Sequence, residues 1–196
     1  MVIYRQITQN RIFLTLLMLT GTVYTLIYAF IRNPFLPGNT ASNIGLEHRF
    51  LFFIWNLIIG LAFYYNCTAM YARYKYNSKM GRIFIRSGII CLLVVFIVPT
   101  HSEVGFQKVL HFAGAVGYIC ANSCTFFWFF FIMMKKVKGF SIMLVVSVLL
   151  PIYVFIWFFT VGKSGFMELV PMWIGYTMLF SLNCLNVFKV PDSDTP

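Results

Sequence analysis

The sequence predicts an all-α, polytopic integral membrane protein, a single bundle of six transmembrane helices with both termini cytoplasmic. Three observations carry that expectation. Hydrophobic residues fill 60% of the 196 positions and charged residues only 10%, whereas soluble domains carry about 25% charged residues. Apolar stretches of about 20 residues, the length a helix needs to cross a bilayer, recur along the whole chain. Lysine and arginine concentrate in alternate connections, as the positive-inside rule expects of a polytopic protein.

The first span, Ile12–Ile31, reads as a retained helix and not a cleavable leader, because no small-residue cleavage pattern follows it. Arg32–His48, "RNPFLPGNTASNIGLEH", has two prolines, two glycines and a Ser/Asn/Thr cluster. That composition predicts an ordered loop or partial re-entrant turn, not a helix. The remaining spans are expected at Arg49–Ala72, Arg82–Pro99, Val109–Met134, Phe140–Val161 and Glu168–Phe188. Residues 1–196 read as one membrane domain without an internal repeat.

With the N-terminus inside, eleven basic residues face the cytoplasm: Arg5, Arg11, Arg73, Lys75, Lys79, Arg82, Arg86, Lys135, Lys136, Lys138 and Lys189. Arg32, Arg49, Lys108 and Lys163 make four on the other side. The net charge of +10 is therefore a topology signal matched to anionic lipid, with the cell (plasma) membrane as the expected location. Basic residues scattered over short loops form no nucleic-acid-binding face. The five cysteines all fall inside spans without a CxxC pair, so a disulfide framework is not expected.

Polar chemistry sorts to the non-cytoplasmic side, where the reading places Glu47, His48, His101, Glu103, His111 and Glu168. Helical spacing carries polarity inward from there. His111, Ala115, Tyr118, Asn122 and Thr125 share a stripe on the fourth span; His48, Phe52, Asn56, Phe63 and Asn66 share one on the second; Glu168, Met172, Tyr176 and Asn183 share one on the sixth. Amides in lipid need partners, because an unpaired buried polar group costs a few kcal/mol. The stripes are expected to turn toward one another and line an outward-opening cavity. The simpler alternatives are interhelical hydrogen bonding for the asparagines and helix-dipole placement for Glu47 and Glu168.

The fourth span also carries small residues, Ala113, Gly114, Gly117, Cys120, Ala121 and Cys124, which suit close helix packing inside the chain or a homodimer or membrane-protein partner. Its far half, "TFFWFFFIMM", is bulky on every side and is expected to face lipid. His48, His101 and His111 could supply a zinc site, but no HExxH, HxxxH or other fixed ligand spacing is present. A serine or threonine nucleophile with His111 as base has no diagnostic setting in the sequence. Deep, paired histidines for haem are missing.

"SNIGLEHRFLFFIWNLIIGLAFYYN" (Ser42–Asn66) and "VPTHSEVGFQKVLHFAGAVGYICA" (Val98–Ala121) resemble a broad group of six-helix membrane proteins. The group comprises bacterial families of unknown function and, more distantly, DRAM/Sfk-type proteins. The matching positions are Ser42, Asn56, Pro99 and His111. The resemblance implies six helices and no particular activity. The alkaline ceramidase and adipoQ-receptor superfamily differs by its seven helices and its late HxxxH.

Three functions follow as expectations. The first is a membrane protein whose outward pocket binds a small molecule or lipid through Glu47, His48, Glu103, His111 and Glu168, with Asn56, Tyr118 and Asn122 as walls. The second is a metal-dependent hydrolase of a lipid or ester, with His111 as the best catalytic candidate. The third is a substrate-binding subunit of an uptake transporter.

Overall fold

A computed structural model of the chain describes residues 10–98, 105–185, 187 and 188. Seven helices follow in order: α1 (Arg11–Ala29), α2 (Ala41–Glu47), α3 (Arg49–Arg73), α4 (Lys79–Ile97), α5 (Gly105–Met133), α6 (Phe140–Thr160) and α7 (Gly165–Asn183). All but α2 are long and apolar enough to cross a membrane. The described residues contain no strand, only an isolated bridge between Pro37 and Ser164. Many large apolar side chains point outward, including Ile142, Leu149, Phe155 and Phe159 of α6. Six such helices mark an integral membrane protein, since only lipid would tolerate that surface.

Helix starts follow side-chain capping. Asn10, Ser78 and Ser164 each accept a hydrogen bond from the backbone N–H three residues on, opening α1, α4 and α7. These caps satisfy donors that the first helical turn leaves unpaired. They also set α4 and α7 three residues earlier than the apolar runs begin, at Lys79 and Gly165.

The helices α3 to α7 close a ring: each packs on the next, and α7 returns to α3. Helix α1 lies outside the ring, against α3 and α7. The tightest seam joins α4 and α5. A Cβ on Gly117 would stand 2.7 Å from Cys91 Sγ, and one on Gly114 would stand 3.0 Å from Val94 Cγ1. Small residues at these positions let the two backbones approach. Gly114, Gly117 and Ala121 of the small-residue face are thus taken up within the chain, while Ala113, Cys120 and Cys124 remain exposed.

Two expectations are corrected. Within Arg32–His48 the chain does form a helix, α2. Its start is capped by the Thr40 hydroxyl, which accepts from Asn43 N–H at 3.2 Å. The turn-rich composition concealed it because only seven residues are helical. The second correction concerns "TFFWFFFIMM". Phe129 and Phe130 have no exposed surface, and Phe126 and Met133 are buried with them. They pack against Tyr71, Tyr74, Tyr76 and Phe140 in edge-to-face and stacked pairs. Phe127, Phe131 and Ile132 alone follow the expected outward direction.

Candidate functional site: a cavity inside the helix ring

The segment before α3 is fastened over one end of the ring by hydrogen bonds to α1, α7 and the turn between α6 and α7. Gly38 N–H donates to the Lys163 carbonyl, and Phe166 N–H to the Pro34 carbonyl, both at 2.8 Å. The Glu168 carboxylate accepts from Ala41 N–H at 2.8 Å, and the Tyr28 hydroxyl donates to the Ala41 carbonyl at 2.8 Å. Gly45 is required by contact, since an added Cβ would stand 2.6 Å from the Phe52 ring. Helix α2 therefore sits as a fixed plug at the end of the bundle opposite the lysine-rich loops.

Below the plug is a cavity of about 120 Å³, walled by all five ring helices and by Ala41 and Ser42 of α2. Its α5 wall is one helical stripe: Ala115, Tyr118, Ile119, Asn122, Ser123 and Phe126. Phe52, Asn56 and Phe63 supply the α3 wall, and Glu168 and Met172 the α7 wall. The floor is set by Phe63 and Phe126, in edge contact at 5.8 Å. Helix α6 buries only Phe140 and Ser147, and its inward residues Leu150, Pro151 and Val154 border this open volume.

The polar groups on this wall are few. Asn56 Nδ2 donates back to the Phe52 carbonyl at 2.8 Å, while the buried Asn56 Oδ1 has no hydrogen-bond partner. The buried Tyr118 hydroxyl likewise has no hydrogen-bond partner, and Asn122 lies one turn further along the same wall. Pro151 and Pro171 both line the cavity. Lacking an N–H, each withholds the usual helical donor from the carbonyl four residues earlier, at Ser147 and Met167, which line the same space.

His111 stands behind this wall, 3% exposed. Its Nδ1 lies 2.7 Å from the Val98 carbonyl and its Nε2 lies 3.0 Å from Ser42 Oγ. A carbonyl only accepts, so Nδ1 carries the proton. In the neutral ring Nε2 is then the acceptor for the Ser42 hydroxyl.

The structure thus gathers Asn56, Tyr118, Asn122 and Glu168 around one space, with His111 joined to it through Ser42. Glu47 and His48 are exposed and lie away from the cavity wall. Glu47 pairs with Arg32 at the surface. His101 and Glu103 lie outside the described residues. Among the described residues no three His, Cys, Asp or Glu side chains gather as a metal would need. Both His111 nitrogens are already engaged, and His48 is exposed away from the cavity. Asn66 and Asn183 leave the predicted stripes to bond each other, Asn183 Nδ2 donating to the Asn66 carbonyl at 2.9 Å and to Asn66 Oδ1 at 3.1 Å.

Sequence reasoning missed Ser42 as the partner of His111, and it missed the α6 wall. Prolines within otherwise apolar runs were the available signal for the latter. No protein-family model, curated protein or solved structure matches the chain. The resemblance drawn above therefore rests on its own four positions. Ser42 and Asn56 line the cavity, His111 stands behind its wall, and Pro99 lies outside the described residues.

Proposed function

We propose that this membrane protein binds one lipid-like amphiphile within the helix ring. The observation that carries the reading is the cavity itself: a largely apolar chamber holding a few polar side chains, Ser42, Asn56, Tyr118, Asn122 and Glu168. Ligand sites are built in this way, with apolar walls for affinity and sparse polar groups for orientation.

Size argues for an elongated ligand. A chamber of about 120 Å³ is below the roughly 300–1,000 Å³ of sites that enclose drug-sized molecules. A second hollow of about 360 Å³ lies between α3 and α4, lined by Phe53, Leu57, Leu61, Ile89 and Phe96. Asn56 and Leu92 belong to both hollows. A polar head in the chamber and a hydrocarbon chain in the groove would use both, with entry sideways from lipid past Leu92. The basic excess at the opposite end would place the chamber in the outer half of the bilayer, with both termini cytoplasmic.

Native mass spectrometry of protein purified in mild detergent tests the reading. The wild type should retain one amphiphile. Ala115→Phe, which fills the chamber, should lose it, and Glu47→Gln at the surface should not. Equal retention by wild type and a folded Ala115→Phe protein would refute the proposal.

A further inference from the structure

The Ser42–His111 pair is not needed to hold α2 in place. The helix is already fastened through Ala41 by Glu168 and Tyr28, and the preceding turn through Lys163 and Phe166. What the pair adds is chemistry. A hydroxyl on the cavity wall donates to a buried imidazole whose other nitrogen is fixed by a carbonyl. This is the nucleophile–base–orienting group arrangement of covalent catalysis. Ser42 borders the chamber and His111 does not, so the serine is presented and the base is sheltered behind it.

We propose that Ser42 is an acyl-accepting nucleophile activated by His111, and that the chamber cleaves the carboxylic ester of an amphiphile bound there. The inference rests on the binding reading above. As Ser42 Oγ bonds to the ester carbonyl carbon, its proton passes to His111 Nε2. The tetrahedral adduct then collapses, the carbon–alkoxide bond breaks, and the leaving alcohol takes that proton from Nε2. Water completes the cycle. His111 removes one water proton as the hydroxide adds to the acyl carbon, and the Ser42 oxygen leaves with the proton returned. The balance is ester plus water to acid plus alcohol, with no redox change. A carbonyl in place of a carboxylate behind His111 orients the ring without a negative charge to stabilise imidazolium, so turnover should be slow by the standard of charged triads.

The test is a fluorophosphonate bearing a long alkyl chain, added to purified protein in detergent, with adduct mapping by peptide mass spectrometry. Attack on phosphorus expels fluoride and leaves a stable adduct on the attacking oxygen. The expected result is modification of Ser42, with no adduct in Ser42→Ala. His111→Gln should slow labelling by about 100-fold or more, the scale of a lost general base, with the amphiphile still retained. A purely structural Ser42–His111 bond would instead leave labelling absent in the wild type. If His111→Gln does not fold, wild type against Ser42→Ala decides. An unlabelled Ser42, or equal label in both proteins, overturns the inference. Native mass spectrometry on the same wild-type sample separates the two failures. Bound amphiphile with an unlabelled Ser42 removes catalysis alone, whereas an empty chamber removes the binding reading as well.

Discussion

The two ends of the helix ring solve the same packing problem differently. Toward the lysine-rich loops, Phe129, Phe130 and Phe140 have no exposed surface and Tyr71, Tyr74 and Tyr76 close around them. Aromatic rings there meet one another at centroid separations of 4.6 to 5.8 Å. At the other end the same helices enclose open volume, and side chains that could have filled it are replaced by Ala115, Ser123, Ser147 and two prolines. Interiors are ordinarily packed as densely as organic crystals. A bundle that fills one end and leaves the other hollow packs its two ends to different densities, and the proposed site occupies the looser one.

That contrast can be broken by mutation. Phe129→Ala should have the largest effect, a loss of about 3–5 kcal/mol, because a void would open in a filled region. Thermal unfolding in detergent would measure it. Met172→Ala on the chamber wall should cost under about 2 kcal/mol, the lower end for a packed methionine, because open space already adjoins it. Equal losses at the two positions would mean that the chamber collapses in solution and the contrast is not real.

Polar ties sharpen the comparison at smaller scale. Asn183→Ala removes the bond from α7 to the Asn66 carbonyl and should cost about 0.6–2 kcal/mol, as interhelical bonds in membrane proteins do. It should leave amphiphile retention intact, since neither asparagine lines the chamber. The smallest effect is expected from Arg32→Gln. Its ion pair with Glu47 has side chains 37% and 52% exposed, and exposed pairs contribute about 0–1 kcal/mol. A measured loss well above that would show that the pair helps hold the segment over the chamber.

Much of the candidate site was legible from spacing. Ala115, Tyr118 and Asn122 recur at helical intervals, as do Phe52, Asn56 and Phe63, and each set does line the chamber. Periodicity is a local property, so a single sequence displays it. Two things were not local. Ser42 and His111 are 69 positions apart, and one serine among many hydroxyls has nothing to distinguish it until the chain folds. Glu47 and His48 stand close to Ser42 along the chain but lie exposed at the far end of α2, with Glu47 paired to Arg32. Proximity in sequence was misleading there.

The sequence by itself determined the class of protein and its six membrane-length helices, because length and apolar content are set by the bilayer and can be counted. Tertiary structure alone decided which aromatic residues of α5 face inward and which asparagines bond each other. It also decided where a hollow survives. The physical reason is that lipid and protein interior are equally apolar, so hydrophobicity cannot tell Phe130 from Phe131. Only shape, close approach and paired hydrogen bonds choose between the two surroundings.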